Sequence, residues 1–250
     1  MSSALVSAES GAQLAPTAGD GVPRRQCGSP AVPSALRMPI GFMALLAALV
    51  ATALGVHFSG DIAAGGADRW AQTAVESLLP QPGAGALLID LVGEPLVTVV
   101  LAGLLAVACL ALGRRRLAVV VVAGTGLTGV ATTVLKPVIG RTIHGGYLAY
   151  PSGHTAAATV LALVVTLLVV DLLRAGRLPG VLLILAGAGA AGAMMAWSQV
   201  ALGAHYPTDT IGGFCTAMAI VPATVLVVDR FAARQHGTEA LTTIKATATS

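Results

Sequence analysis

Long apolar runs separated by short polar segments set the pattern of this chain. Six runs come close to the ~20 residues that a helix needs to cross a bilayer. They begin at Met38, Pro95, Leu117, Thr155, Leu178 and Thr210. Each run is continuously apolar, whereas a strand of a membrane barrel would alternate apolar and polar positions. The pattern therefore predicts an all-α, polytopic membrane protein with six transmembrane helices.

The segments outside these runs predict the domain boundaries. Residues 1–37 are rich in Ser, Ala, Gly and Pro and have no helical stripe, so we predict a disordered tail. The first run begins too far along the chain for a cleaved signal peptide, so it is interpreted as a span. The membrane domain is then expected over residues 38–229, followed by a cytoplasmic tail over residues 230–250.

The longest segment between runs, residues 59–94, carries no catalytic signal. We predict a short helix there from Asp68 to Leu79, with Trp70 at the membrane interface. Glu94 lies near the membrane and is a weaker functional candidate. The other acidic residues of this segment are interpreted as solvated surface charges: Asp61, Asp68, Glu76 and Asp90.

Composition and charge agree with a membrane protein. Hydrophobic residues make up 56% of the chain and charged residues 10%, against ~25% charged in a soluble domain. Eleven of the 14 lysines and arginines fall on one side of the predicted spans, which should be the cytoplasmic side of a plasma membrane and hold both termini. These cations explain the pI near 9.0 without a nucleic-acid partner. The three cysteines form no metal-binding pattern.

Polar residues from three separate segments gather on the opposite, outer face. Glycine and alanine are abundant in the spans, so the helices that carry these residues can approach one another closely. We therefore predict one site, facing the outside of the cell. The candidate members are Lys136, Arg141, Ser152, Gly153, His154, Gln199, His205 and Asp209.

These residue types suit phosphoryl transfer without a metal. Lys136 and Arg141 can hold phosphate oxygens, and backbone amides at a helix start within residues 152–154 point at anions. His205 and Asp209 are four residues apart, so on a helix the carboxylate can orient the ring for attack on phosphorus. The histidine of segment 152–154 can protonate the leaving oxygen. Taken alone, each histidine could equally be a solvated residue at a helix end.

At these residues the chain resembles the type 2 phosphatidic acid phosphatase (PAP2) family, the lipid phosphate phosphatases, whose active site is shared with vanadium haloperoxidases. That family carries the motifs Lys-x6-Arg-Pro, Pro-Ser-Gly-His and Ser-Arg-x5-His-x3-Asp. Here the second motif is intact from Pro151 to His154, and the third reads SQVALGAHYPTD from Ser198 to Asp209. The likeness covers roughly residues 95–228, and the six-span layout matches bacterial members.

The resemblance implies a PAP2-like helical bundle that hydrolyses a lipid phosphate or diphosphate. It implies that His205 attacks phosphorus and forms a phosphohistidine, that Asp209 orients it, and that His154 protonates the lipid oxygen and then activates water. No metal or organic cofactor is expected. The phosphate-binding set is then Lys136, Arg141, Ser152, Gly153 and Gln199.

Two positions depart from the family pattern. The first motif has Arg seven residues after its Lys, but Ile143 stands there, so Arg141 is expected to supply the guanidinium. In the third motif Gln199 replaces Arg and can donate a hydrogen bond without carrying charge. A hydrogen bond to a charged group is worth ~1.5–3 kcal/mol, so turnover slower by roughly ten- to a hundred-fold is expected.

These departures keep other functions open. A member that has lost hydrolysis would bind or move anionic lipid, with the histidines as ligands. A phosphotransferase would pass the phosphoryl group to another lipid instead of water. Haloperoxidase chemistry fits a membrane-embedded chain least well. The particular lipid and the oligomeric state are not readable from the sequence.

Overall fold

The computed structural model describes residues 30–78 and 83–248, with side chains as far as Gln235 except that of Leu78. A single 3-10 turn, Ser34–Leu36, precedes the first α-helix, and two short strands, β1 (Thr142–Ile143) and β2 (Tyr147–Leu148), pair antiparallel. The helices of the described residues are α1 (Arg37–His57), α2 (Gly66–Leu78), α3 (Ala84–Gly93), α4 (Pro95–Ala111), α5 (Arg115–Ile139), α6 (Gly153–Leu172), α7 (Arg177–Ala201) and α8 (Pro207–Ala248).

The membrane spans follow the apolar runs. Among the described residues, five helices are long and apolar enough to cross a membrane, or six if α3 and α4, bent by 66°, count as one span. The bend falls at Glu94, whose backbone is extended because the residue before a proline is kept out of the helical region. Pro95 then suits the first position of α4. The predicted all-α polytopic fold is confirmed, and the apolar run from Pro95 forms α4, which α3 precedes across the bend.

Helix α6 lies at the centre of the bundle, packed against α5, α7 and α8, while α1 packs along α8. Glycines of α7 make close contacts with both neighbouring helices. A Cβ atom on Gly187 would lie 2.2 Å from Thr166 of α6, and one on Gly192 would lie 2.6 Å from Phe214 of α8. Small residues therefore let three backbones approach in a bundle where lipid offers no hydrophobic driving force.

The predicted N-terminal tail is shorter than expected. Residues 1–29 lie outside the described residues, but the buried Ala31 and Val32 donate their amides to the Asp229 carboxylate of α8, at 2.8 and 3.4 Å. The predicted disorder is thus wrong for residues 30–37, which are anchored. Helix α8 runs on to Ala248, and the placement of residues 230–250 as a cytoplasmic tail stays a prediction.

Three of the described arginines predicted to be cytoplasmic, Arg37, Arg114 and Arg116, share one end of the bundle. Asp229 lies 3.6 Å from Arg37 and 3.3 Å from Arg116. At the same end Arg114 pairs with Asp171 at 2.6 Å, which joins the start of α5 to the end of α6. The opposite end, called the outer end below, holds α2, the β1–β2 hairpin and the first turns of α6 and α8.

Candidate active site

Three chain segments meet at the outer end of the bundle. The amide of Ser152, just before α6, donates to the carbonyl of Asp209 in the first turn of α8 at 3.0 Å. The hairpin is joined to the same place, because Ala149 donates to the Arg141 carbonyl at 2.8 Å and Nζ of Lys136 donates to the Leu148 carbonyl at 3.0 Å. The segments predicted to form one site are therefore in contact.

His205 occupies the loop between α7 and α8 and is buried, with 7% of its surface exposed. Its Nδ1 lies 3.8 Å from Oδ2 of Asp209, an ion-pair distance longer than a hydrogen bond. Burial lowers the pKa of His205, and the Asp209 carboxylate opposes that shift. The positive charge of Lys136, and that of His154 when it is protonated, lower the pKa further. The imidazole is thereby favoured in its neutral, nucleophilic form.

Asp209 is held rigidly at the start of α8. Its Oδ2 accepts from the Tyr206 amide at 3.0 Å, which caps the helix, and its Oδ1 accepts from Nη1 of Arg141 at 2.6 Å. The carboxylate is completely buried. Asp209 therefore has a fixed orientation toward His205, set by the helix start on one side and by a guanidinium on the other.

Arg141 lies beneath the site rather than in its opening. Its side chain is completely buried, and Nη1 also donates to the Thr208 hydroxyl at 2.6 Å while Nη2 donates to Asp68 at 2.5 Å. The rings of Phe58 and Tyr206 lie 4.1 and 4.7 Å from its Cζ atom. The expectation that Arg141 supplies the missing cationic contact to phosphate is corrected, because carboxylates and rings enclose its guanidinium.

Asp68 is the second correction. It was interpreted as a solvated charge, but its side chain is completely buried at the start of α2. Oδ1 accepts from the amide and the hydroxyl of Thr208 at 2.9 and 2.8 Å, and Oδ2 accepts from Arg141. A buried carboxylate requires such partners. Helix α2, predicted as a short surface helix, thus reaches into the support of the site.

Ser152 caps α6, which begins at Gly153. Its hydroxyl accepts from the amide of Thr155 at 3.4 Å, and its own amide is committed to Asp209. Ser152 is completely buried. The part of the predicted anion cradle that remains is the helix N-terminus at Gly153 and His154, where backbone N–H groups and the helix dipole favour an anion.

His154 projects from the first turn of α6 toward two carboxylates. Its Nε2 lies 3.5 Å from Asp90 of α3 and 3.6 Å from Glu94 at the bend. Gln199 of α7, 1% exposed, donates to Asp90 at 2.6 Å. Gln199 is therefore bound to a carboxylate rather than turned toward a phosphate. Asp90, interpreted from sequence as a surface charge, instead joins α3, α6 and α7.

The same three groups are the place where a cation could be held. One ligand atom each from Asp90, Glu94 and His154 lies within 4.8 Å of the others. Two carboxylates and an imidazole are ligands that divalent metals accept. Asp90 and His154 already have protein partners, however. The cluster is therefore explained equally well without a metal, as a histidine flanked by acids.

A cavity of about 830 Å³ runs between α4, α5 and α6. At the outer end it is lined by Lys136, Gly153 and His154, and deeper along the spans it is lined by apolar residues and threonines such as Val99, Val122 and Thr128. Charged groups at its mouth and apolar walls below suit a molecule with an anionic head and a hydrocarbon tail.

Glycine at two positions allows the site to assemble. A Cβ atom on Gly93, at the end of α3, would lie 2.6 Å from the His154 side chain. One on Gly213 of α8 would lie 2.2 Å from the carbonyl oxygen of Ser152. Any side chain at either position would push α3 or α8 away from the start of α6.

A family model described as the PAP2 superfamily matches residues 117–232. This match agrees with the motif resemblance, and the apolar helices make the chain a multi-pass membrane protein. Among solved structures it is similar to a transmembrane PAP2-type phosphatidylglycerolphosphate phosphatase from Bacillus subtilis, with a TM-score of 0.57 and 20% sequence identity. The similarity covers 77% of this chain and 97% of the other. No curated protein matches the sequence.

Two residues of the site were missed in the sequence for identifiable reasons. Asp68 and Asp90 lie on α2 and α3, in the segment 59–94 outside the three motifs, where no catalytic signal was seen. Asp90 does precede Glu94 by four residues, a helical spacing that brings two carboxylates to one face. That pair, just before Pro95, was the available signal for a functional role of this segment.

Proposed function

We propose that this protein is an integral membrane phosphatase that hydrolyses a lipid phosphate or diphosphate through a phosphohistidine on His205. The observation that carries the proposal is the cavity between α4, α5 and α6, which connects Lys136 and His154 with apolar spans. Such a cavity can hold the lipid chain while the phosphate stays among polar groups. A soluble phosphate ester would need no such walls.

In the first step, the free ring nitrogen of His205 attacks phosphorus. The new N–P bond forms as the P–O bond to the lipid breaks, and His154 gives its proton to the leaving oxygen so that a lipid alcohol departs. Asp209, which lies 3.8 Å from Nδ1, stabilises the positive charge that the His205 ring acquires. When a diphosphate is the substrate, the leaving group is a lipid monophosphate.

In the second step, water replaces the ring nitrogen. His154, now neutral, takes a proton from water while the water oxygen attacks phosphorus. The N–P bond breaks, and inorganic phosphate is released. This returns His154 to its protonated form, and it returns His205 to its neutral form. Asp90 and Glu94, at 3.5 and 3.6 Å, hold the His154 ring in place during both proton transfers.

The phosphate contacts are fewer than the motif resemblance suggested. Lys136 and the first-turn amides of Gly153 and His154 are the donors at the mouth of the cavity. Arg141 acts through Asp209, and Gln199 acts through Asp90. We therefore assign Arg141, Ser152 and Gln199 as positioning residues, and we expect phosphate to bind with one side-chain cation.

The site is proposed to face the outside of the cell. Support comes from the cytoplasmic-type arginines, which lie at the opposite end of the bundle near Asp229 and Asp171. Both chain termini are then cytoplasmic. Labelling of a single cysteine introduced at the exposed Tyr147, by a membrane-impermeant maleimide on intact cells, tests this orientation.

A second function has one specific observation in its favour. The carboxylates of Asp90 and Glu94 beside His154 repel a phosphate, and neither Arg141 nor Gln199 compensates by direct contact. A protein that binds or moves lipid without cleaving it would tolerate this charge balance. Phosphotransfer to another lipid differs only in what replaces water in the second step.

A substrate panel tests the proposed function. The protein is purified in detergent, and phosphate release is measured from phosphatidate, phosphatidylglycerol phosphate and a polyprenyl diphosphate. We expect release from at least one lipid and none from glycerol phosphate, which lacks a chain to occupy the cavity. Lipid binding without release by folded protein would support the non-hydrolytic alternative instead.

A further inference from the structure

Two hydroxyl groups inside the cavity have no hydrogen-bond partner. Oγ1 of Thr125 and Oγ1 of Thr128 are both buried and unpaired in the described residues, and both threonines line the cavity. Thr128 is only 2% exposed. The two lie three residues apart on α5, so they share one face of the helix.

Threonines elsewhere in the spans behave differently. Their hydroxyls donate to a carbonyl one turn earlier in the same helix, at 2.7–2.9 Å, in Thr159, Thr166, Thr216 and Thr224. Such back-bonding is the usual way for a hydroxyl to be satisfied within a membrane. Leaving a buried hydroxyl unpaired costs free energy. Thr125 and Thr128 thus line the cavity with hydroxyls that no described group satisfies, and a rotation about χ1 would turn each toward an acceptor that enters.

Thr125 and Thr128 lie deeper in the membrane than the proposed phosphate position at the start of α6. A Cβ atom on Gly153 would lie 4.0 Å from Oγ1 of Thr132, so Thr132 is level with the start of α6. Thr128 lies one turn deeper, ~6 Å along the axis, and Thr125 ~10 Å deeper at ~1.5 Å per residue. In a glycerophospholipid the ester carbonyls lie a few bonds below the phosphate, whereas a polyprenyl chain carries no acceptor there.

We propose that Thr125 and Thr128 form a subsite that donates hydrogen bonds to the ester carbonyls of a diacylglycerol backbone. This rests on the proposed phosphatase function and names its substrate class: an ester-linked glycerophospholipid phosphate is preferred over an isoprenoid diphosphate. The hydroxyls are donors and the carbonyls are acceptors, so each threonine gains its missing partner when the lipid enters.

The test uses the full-length protein and three substrates: ester-linked phosphatidate, its ether-linked analogue and a polyprenyl diphosphate. Wild-type protein should have the highest kcat/KM for the ester lipid. The double variant T125V/T128V keeps the shape but removes both donors, so we expect kcat/KM for the ester lipid to fall by roughly 10–100-fold. The same variant should be within about twofold of wild type on the other two substrates.

Thr133→Val is the matched control. Thr133 lines the same cavity, but its hydroxyl already donates to the Gly129 carbonyl at 2.8 Å, so its loss should leave the ester preference unchanged. Thermal unfolding of each variant in detergent confirms that it is folded. Equal losses on ester and ether lipids, or a wild-type preference for the isoprenoid, overturn the subsite. Absence of hydrolysis of all three lipids and of phosphatidylglycerol phosphate by wild type overturns the proposed function itself.

Discussion

The two histidines of the site have opposite surroundings. His205 is buried in the loop before α8. The Asp209 carboxylate lies behind it, and the buried Arg141 guanidinium holds that carboxylate in place. His154 stands at the mouth of the cavity, between carboxylates that remain partly exposed. A nucleophile must be neutral and precisely aimed, while a group that exchanges protons with lipid and water must remain accessible. The contrast supports the proposed roles, in which His205 attacks phosphorus and His154 transfers protons.

Replacing either histidine should have the largest effect. We expect His205→Gln to reduce phosphate release to background, a loss of at least about a thousandfold, because no other group can attack. His154→Gln should cost roughly 10²–10⁴-fold, since only proton transfer is removed. Turnover assays on the preferred lipid measure both. His57→Gln, at an exposed outer-end histidine, is the control and should be silent.

Gly93→Ala should affect the His154 side alone. The added Cβ would lie 2.6 Å from the His154 ring, which has to move. A displacement of about 1 Å can cost roughly a hundredfold in rate, so we expect a loss of that order in kcat with little change in the thermal unfolding temperature. Gly85→Ala on the same helix has open space around it and should leave activity unchanged. Normal activity of G93A would show that the His154 position is not critical.

Arg141→Met should affect the part of the site around His205, mainly by lowering the stability of the folded protein. Removing the guanidinium leaves the buried Asp68 and Asp209 carboxylates unpaired, and breaking such a pair costs about 3–5 kcal/mol. We expect a clear drop in the thermal unfolding temperature in detergent. Arg69→Met, at an exposed arginine of α2, should cause little change. If R141M unfolds like wild type but binds phosphate more weakly, Arg141 contacts phosphate after all.

Asp90→Asn tests what the acids beside His154 do. The amide keeps the shape and an oxygen that can accept from Gln199, but it loses the charge that attracts a protonated ring. We expect about a tenfold loss in kcat, equal to roughly 1.4 kcal/mol, and a smaller loss for the more exposed Glu94→Gln.

Wild-type activity should survive prolonged EDTA treatment. Inactivation by EDTA and recovery with a divalent cation would instead assign Asp90, Glu94 and His154 as metal ligands.

The pH profile should show the smallest effect. His205 reacts as a neutral imidazole, and burial lowers its pKa below the ordinary ~6.5. The acid limb of kcat/KM, corrected for titration of the lipid phosphate, should therefore fall below pH 6.5. Asp209→Asn removes the carboxylate that opposes this shift, so the limb should move to still lower pH. An acid limb above pH 6.5 in wild type would mean that burial does not determine the pKa of His205.

The sequence predicted the spans and the meeting of motif residues better than it predicted their contacts. Apolar runs and arginine placement determine which helix ends meet, so Lys136, His154 and His205 could be brought to one end from pattern alone. The contacts of Arg141 and Gln199 depend on how the segment 59–94 folds. That segment supplies Asp68 and Asp90, and nothing in its sequence pattern indicates which carboxylate turns inward.

The formation of phosphohistidine tests the account most directly. Phosphatidate labelled with ³²P is mixed rapidly with the protein, quenched in alkali, and the labelled peptide is sequenced by mass spectrometry. The account predicts an acid-labile, alkali-stable label on His205, formed and lost within one turnover and absent from His205→Gln. Hydrolysis that proceeds with no labelled protein, or with the label on His154, would contradict it.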